Sequence, residues 1–424
     1  VPKYIATLLF AAVFASGYAQ TTLYNDGGTL HVEEGALLYV EGDVMNMDTA
    51  IIQNDGVVEL MGELHNDNTA QMKNGNSLSS TERAYKFIGT GTQAITGNLS
   101  NTSTRYIHNL IVDKVYSNTA VQLQTNTYVT GSLVFGSSTT GADTYTPTDN
   151  STLTDNMGQG IIQTYNGSTD YELFITNSSA NAVVGYAPLT INGNPTDAYI
   201  QTRGAQGVGD GGFSRNVSSL GAAYVFPVGS STNGYNAAAL TFTALGTTPD
   251  KIRNMFVDAT GGVGQLRKTC TGCNGLSPDN DGFNYYFSSN TCNGSTPKWV
   301  ILDALPTDHG YWSFNGNSGD QYFIETYPNS FPGFSGTDAD DWRMIKKSGD
   351  ITAVPTGDWT PEILTSIQSP TNLLTYNRNG GCYTGDGVPG GIFEGFSHFQ
   401  MARSQTGSTL PVEMLYLTAQ GVDN

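Results

Sequence analysis

Residues 28–66 carry a pattern of apolar and polar positions that repeats after 20 residues. The matched positions are Val32 and Ile52, Leu38 and Val58, Val40 and Leu60, Val44 and Leu64, and Asn46 and Asn66. Short strand-like fragments that recur at a fixed period between polar turns are typical of a solenoid, whose coils stack on one another. We therefore predict a parallel, β-helix-like solenoid in which Val32 lies on Ile52 and Val40 on Leu60. Asn46 and Asn66 are expected to form a side-chain ladder.

Strand-like runs bounded by Gly, Asn and Ser continue beyond this repeat, without a clear period. Five of the nine residues at 204–212 are glycine, which indicates a domain boundary. The longer apolar runs beyond that boundary, such as 223–228 and 237–243, are typical of an antiparallel sandwich. The predicted fold is all-β, with a parallel β-solenoid over residues 20–203 and an antiparallel β-sandwich over 204–409.

The composition supports the all-β class and argues against one class of partner. The chain has 51 glycines and only 13% charged residues, which is usual in turn-rich β proteins. Its formal net charge of −19 would repel a nucleic-acid backbone, so nucleic acid is not an expected partner.

The first 19 residues have the features of a secretory signal peptide. Lys3 provides a positive charge, residues 4–14 form an apolar core, and Gly17 and Ala19 are small residues before a cleavage site at Gln20. No later segment approaches the roughly 20 apolar residues that a spanning helix needs. We expect an exported protein that does not span the membrane.

Four cysteines occur after the signal: Cys270, Cys273, Cys292 and Cys382. An even number of cysteines in an exported protein favours disulfides, here within an insertion of the predicted sandwich. Three pairings are open. Metal binding by the Cys-x-x-Cys pair and free or redox-active thiols are the alternatives.

Several segments in a fixed order carry a resemblance to a known group. They are residues 91–97 with 106–112, residues 212–217 leading to 225–229, and residues 396–399 leading to Leu-Pro-Val-Glu at 410–413. Together they resemble large, adhesin-like surface proteins of Gram-negative bacteria with type IX secretion. The resemblance implies a solenoid stalk followed by sandwich domains, export by the outer-membrane secretion machinery, and a location outside the cell. It also implies that residues 410–424 begin a linker to a C-terminal sorting module missing from this chain. The group has no common catalytic residues.

One acidic turn is a candidate metal site. Asp279, Asp281 and the turn-forming Gly282 have the alternate spacing with which carboxylates and a carbonyl can hold calcium. The surrounding sequence lacks the bidentate Glu of an EF-hand, and the alternative is a turn that hydrogen-bonds its own backbone. Calcium is the only cofactor considered, and none is required.

The sequence contains no nucleophile elbow and no His-Glu-x-x-His motif, and we assign no catalytic residue. Aromatic residues of the second half could stack on sugar rings, and the candidates are Tyr311, Trp312, Trp342 and Trp359. The alternative is that most of them are core residues.

The expected function is therefore that of a non-enzymatic surface or secreted protein that displays a binding domain on a solenoid stalk. Its expected ligand is a surface polysaccharide or another extracellular molecule, contacted by loops of the second half. The alternative is a polysaccharide-binding or polysaccharide-degrading β-helix protein.

Overall fold

The computed structural model describes residues 21–74, 83–100, 103–114, 120–136, 160–191, 194–203, 211–258 and 310–326, with Phe396 and short strands between 286 and 404. These residues are mostly β-strand, and the one helical segment among them is the 3₁₀ turn Ala180–Ala182. The all-β class is confirmed. Within the same residues, no helix has the length and apolar character needed to cross a bilayer. The predicted signal peptide lies outside them.

The strands of the first half are β1 (Leu23–Asp26), β2 (Thr29–Val32), β3 (Leu37–Val40), β4 (Val44–Met47), β5 (Ile51–Asn54), β6 (Val57–Leu60), β7 (Leu64–Asn66), β8 (Gln71–Lys73), β9 (Ala84–Phe87), β10 (Gln93–Gly97), β11 (Asn109–Val112), β12 (Ala120–Leu123), β13 (Thr127–Val129), β14 (Leu133–Phe135), β15 (Gly160–Gln163), β16 (Tyr165–Asn166), β17 (Thr169–Asp170), β18 (Glu172–Ile175), β19 (Val183–Val184), β20 (Ala187–Ile191) and β21 (Asn194–Gln201).

The second half contributes β22 (Gly212–Val217), β23 (Ala223–Phe226), β24 (Val228–Ser230), β25 (Gly234–Tyr235), β26 (Ala238–Ala244), β27 (Asp250–Asp258), β28 (Tyr286–Ser288), β29 (Lys298–Ile301), β30 (Gly310–Asn315), β31 (Gln321–Thr326), β32 (Trp342–Lys347), β33 (Thr360–Glu362), β34 (Thr365–Gln368), β35 (Leu373–Tyr376), β36 (Phe393–Glu394) and β37 (His398–Ser404).

The first half is organised into parallel sheets, and consecutive strands of the chain from β1 to β15 belong to different sheets. One sheet runs β1-β4-β7-β10-β12-β15-β21-β24, a second runs β3-β6-β9-β11-β14-β19, and a third runs β2-β5-β8. The chain therefore visits each sheet in turn and returns beside its own earlier strand. Strand residues alternate between the interior and solvent, as in β4 and β6, because successive side chains point to opposite faces.

Most of the predicted register is confirmed. Val40 lies opposite Leu60 between β3 and β6, and Asn46 lies opposite Asn66 between β4 and β7. Both pairs preserve the 20-residue spacing seen in the sequence.

The predicted pairing of Val32 with Ile52 is wrong. Val32 lies opposite Asn54, and Leu30 lies opposite Ile52, so β2 and β5 are offset by 22 residues. Val32 and Ile52 are nevertheless both buried. A shift of two residues leaves every side chain on its own face, so the apolar pattern could not distinguish the two registers.

A difference in turn length accounts for the shifted register. The turn from β2 to β3 spans residues 33–36, whereas the turn from β5 to β6 contains only Asp55 and Gly56. Gly35 adopts a φ of +72° in the longer turn, a conformation that glycine adopts without steric cost. The two extra residues are absorbed there, and β3 and β6 return to the 20-residue spacing.

The predicted asparagine ladder is confirmed and extends further than expected. Asn25 donates from Nδ2 to Oδ1 of Asn46 at 2.9 Å, and Asn46 donates in the same way to Asn66 at 2.8 Å. Asn66 then donates to the backbone carbonyl of Asn98 at 2.8 Å. Because Asn46 and Asn66 are fully buried, these bonds satisfy amides that would otherwise be costly inside the core.

Beyond residue 74 the stacked strands stay parallel, apart from the antiparallel pairs β16–β17 and β20–β21, while the spacing grows. Val57 pairs with Ala84, 27 residues later, and Thr127 pairs with Leu173, 46 residues later. Longer connections between strands that remain in register explain why the sequence shows no fixed period there.

The pairing mode changes at β22. This strand is parallel to β18 on one side and antiparallel to β27 on the other. Beyond it lie two largely antiparallel sheets, one in the order β22-β27-β30-β37-β29-β28 and the other in the order β23-β26-β31-β35-β34. The two halves of the chain are thus joined through a shared sheet.

One apolar core runs through both halves, from Val32 in β2 to Phe399 in β37. Its first part is mainly aliphatic, whereas its second part contains edge-to-face aromatic pairs such as Phe226 with Phe314, at 5.5 Å between ring centroids. Such pairs contribute favourably beyond the area that they bury.

Candidate functional site

Several residues predicted to carry chemistry lie outside the described residues. These are the calcium candidates Asp279, Asp281 and Gly282, the cysteines Cys270, Cys273, Cys292 and Cys382, and the aromatic residue Trp359. In the part of the chain that the structure does describe, no three His, Cys, Asp or Glu residues cluster as a metal site would require.

Two of the aromatic candidates lie in the core. Trp312 is fully buried against Phe256, at 5.4 Å between ring centroids, and its indole nitrogen donates to the carbonyl of Asn236 at 2.7 Å. Tyr311 is 5% exposed and packs edge-on against His398. Neither ring is open to a ligand at the surface. For Trp342, only its place in β32 is described.

The described residues form a polar cleft in the first half of the chain, with a volume of about 600 Å³. It lies where the strands of the longest parallel sheet end, and successive coils contribute to it through the turns after β7, β10 and β12 and through the β16–β17 hairpin. The cleft therefore crosses three steps between neighbouring strands, a length of roughly 14 Å at about 4.8 Å per step.

Backbone contacts between coils fix the floor of the cleft. Asn98 donates its N–H to the carbonyl of Asn66 at 2.7 Å, and Tyr128 donates to Leu99 at 2.8 Å. Gly97 has a φ of +86°, and a Cβ added there would lie 1.9 Å from the carbonyl oxygen of Asn66. Only glycine allows this close approach, so the cleft has a rigid base.

Three amide side chains in the cleft are each held at one end by the protein. Oδ1 of Asn98 accepts from the backbone N–H and the hydroxyl of Ser100, at 3.4 and 3.0 Å. Oδ1 of Asn126 accepts from the N–H of Glu172 at 2.9 Å. Nε2 of Gln124 donates to Oε1 of Gln122 at 3.3 Å.

These anchors determine which groups the cleft presents. Because donors hold Oδ1 of Asn98 and of Asn126, the Nδ2 group of each amide is the end left over, and it donates to no described residue. Gln124 leaves its carbonyl oxygen in the same way. The cleft thus offers both donors and acceptors from side chains that are already oriented.

Asp170 contributes the one carboxylate among the described lining residues. Its Oδ1 accepts from Nη2 of Arg203 at 3.2 Å, and its side chain is only 6% exposed. Burial raises the pKa of this carboxyl above its ordinary value, against the opposing effect of Arg203. Arg203 also donates to the carbonyl of Gly167 and lies 4.9 Å from the Tyr165 ring centroid. Arg203, which does not line the cleft, thus balances the charge of the Asp170 carboxylate.

The cleft is suited to hydrogen bonding and has little support for catalysis. Hydrolysis of a glycosidic bond normally uses two positioned carboxylates, and Asp170 has no second carboxylate beside it among the described lining residues. The half-buried ring of Tyr171 adds a flat apolar surface beside the amides. Sequence reasoning missed this site because its residues come from turns at irregular spacings.

A second group of interest is a buried carboxyl pair in the second half. Asp320 is fully buried and Asp250 is 7% exposed. Oδ1 of Asp320 accepts from the N–H of Gly246 at 2.7 Å. Burial raises the pKa of Asp320 to about 7, and the neighbouring Asp250 carboxyl adds to this effect, against the opposing effect of the Gly246 N–H. We expect this pair to make the stability of the second half depend on pH.

No family model, no curated protein and no solved structure matches this chain.

Proposed function

We propose that this chain is an exported, non-enzymatic surface protein of a Gram-negative bacterium, in which a β-solenoid stalk carries a β-sandwich and contacts an extracellular ligand. The observation that carries the proposal is the joining of parallel and antiparallel sheets through one apolar core. The described strands of the stack pair one after another from β1 to β24, which holds the second half of the chain at a fixed distance from the first coil. Eight parallel strands from β1 to β24 make seven steps, or about 34 Å at 4.8 Å per step.

The assignment of stalk and sandwich rests on the pairing pattern. Strands in rotation, with columns of like residues such as the stacked asparagines, are typical of a solenoid. Two antiparallel sheets that bury a common aromatic core are typical of a sandwich. The same two parts, in the same order, are expected from the resemblance to type IX-secreted surface proteins.

Export and surface location are supported by the signal-like residues 1–19 and by the acidic, turn-rich composition. The proposal predicts that the protein, expressed from its natural gene in a bacterium with type IX secretion, is removed from intact cells by added protease. Protein that resists protease until the cells are lysed would contradict the surface location.

The polysaccharide-degrading alternative predicts hydrolysis of a polysaccharide, whereas the non-enzymatic proposal predicts none. Purified protein incubated with a panel of polysaccharides should release no new reducing ends, because Asp170 has no described carboxylate beside it in the cleft. Release from any substrate, at a rate proportional to protein concentration, would overturn the non-enzymatic proposal. Heat-denatured protein is the control for contaminating hydrolase.

A further inference from the structure

We infer that the polar cleft beside the parallel stack binds an uncharged saccharide chain, held by the anchored amides of Asn98, Gln124 and Asn126. This inference rests on the proposed ligand-contacting role and places it in the stalk. It names both a site and a class of ligand.

The anchored amides match the chemistry of sugar hydroxyls. Each hydroxyl both donates and accepts, and the cleft presents two Nδ2 donors and one Oε1 acceptor. One end of every amide is already bonded to the protein, so little side-chain freedom is lost when the ligand binds. The ring of Tyr171, itself part of the lining, offers a face for the apolar side of a sugar.

Charge favours a neutral ligand. The whole chain carries a formal charge of −19, which repels anionic polysaccharides. The carboxylate of Asp170 is paired with Arg203 at 3.2 Å, so it does not act as a free charge for a cationic ligand. Oδ2 of Asp170 is buried, so the carboxylate presents no free charge to the cleft.

The position of the cleft favours a saccharide over a peptide. A peptide that adds to a sheet pairs with the backbone of an exposed edge strand, whereas this cleft lies at turns, where the backbone groups of Asn98 and Tyr128 already bond the preceding coil. A saccharide about 14 Å long that lies along the stack would contact the turns of successive coils.

Replacing an asparagine of the cleft by aspartate changes the group that faces the ligand and keeps the hydrogen bond that anchors the side chain. In Asn98→Asp and Asn126→Asp, the carboxylate oxygen can still accept from Ser100 or Glu172, while the presented donor becomes an acceptor. Asn177→Asp is the matched control, because Oδ1 of Asn177 accepts from the N–H of Ser179 at 3.0 Å in a similar turn outside the cleft.

The test is calorimetric titration of the full chain with cellohexaose, xylohexaose, maltohexaose and mannohexaose, with hexagalacturonic acid as the acidic match and an uncharged hexapeptide as the peptide match. We expect binding of at least one neutral hexasaccharide. The N98D/N126D double variant should weaken that binding at least tenfold, about 1.4 kcal/mol, while N177D changes it less than twofold. Tyr171→Leu, which removes the flat ring face and keeps an apolar side chain, should weaken it about threefold and tests a second lining residue independently of the amides.

Three results would overturn the inference: no binding of any neutral hexasaccharide, preferential binding of the acidic one or of an uncharged hexapeptide, and equal loss in N177D and the double variant. Unchanged affinity in both the double variant and Y171L would also overturn the assignment of the saccharide to this cleft, and would leave the proposed surface role standing. Protease exposure on intact cells tests that role separately.

Discussion

The two halves of this chain bury their apolar residues in different ways. In the first half, side chains of the same kind lie above one another in successive coils, as Val40 lies on Leu60 and Asn46 on Asn66. In the second half, large aromatic rings from different strands interlock, as Phe256 does with Trp312. Stacked coils require similar residues at equivalent positions, so they leave a repeat in the sequence. An interlocked aromatic core requires complementary shapes and leaves none.

The largest expected effect is the loss of an aromatic anchor in the second half. Trp312→Ala should lower the free energy of unfolding by about 3–5 kcal/mol, because it opens a large cavity and leaves the carbonyl of Asn236 without its indole donor. Denaturant unfolding monitored by circular dichroism measures this. Tyr39→Ala in the first half is the control, since Tyr39 is 49% exposed, and it should change stability by less than about 0.5 kcal/mol. Comparable losses in the two variants would contradict the burial of Trp312.

The buried carboxyl pair should make stability depend on pH. The pKa of Asp320 is about 7 in the folded state, against an ordinary value of 3.8, so the folded state binds the proton more tightly. Stability is then greatest at low pH and falls as the pH rises toward 7, by about 2–3 kcal/mol between pH 5 and 8.

Asp320→Asn keeps Oδ1 as the acceptor for Gly246 and cannot titrate. The variant should lose this component of the pH dependence and gain stability relative to the natural chain at pH 8. Urea unfolding of both proteins from pH 5 to 8 measures the difference. If the free energy of unfolding changed equally with pH in the two proteins, the Asp320 and Asp250 pair would not be the cause of the pH dependence.

A smaller effect is expected from the asparagine ladder of the first half. Asn46→Ala removes the donor to Asn66 and to the carbonyl of Gln71 inside the core, so it should cost about 1–3 kcal/mol. Asn25→Ala, at the half-buried end of the same ladder, should cost less than about 1 kcal/mol. Thermal unfolding of the two variants gives the ranking, and a negligible loss in Asn46→Ala would mean that the ladder does not stabilise the core.

The sequence was most informative where the structure repeats itself. Asn46 and Asn66 could be paired in advance because identical polar residues at buried, equivalent positions have few other ways to be satisfied. Val32 was paired with the wrong residue because turn length, which apolar alternation does not report, sets the offset between β2 and β5.

The cleft was harder to foresee than the register. Its amides belong to turns whose spacing depends on the lengths of the intervening connections, and the bonds that orient Asn98 and Asn126 are visible only in three dimensions. The sequence offered Trp312 as a candidate contact residue, yet it provided no means of telling a buried ring from an exposed one. Both failures concern contacts between residues that are far apart in the chain.

The parallel stack, with its shifted register between β2 and β5, can be tested most directly by disulfide trapping. His31 and Gln53 are partners across β2 and β5 and both point away from the core, so their Cα atoms should lie within the roughly 7 Å that a disulfide can bridge. Under the same register the Cα atoms of His31 and Ile51 lie about 8 Å apart, which is too far for a disulfide. We predict that the pair His31→Cys with Gln53→Cys oxidises readily, as shown by peptide mapping under non-reducing conditions. Preferential cross-linking of His31→Cys with Ile51→Cys would contradict the shifted register and support the 20-residue pairing that the sequence predicts for β2 and β5.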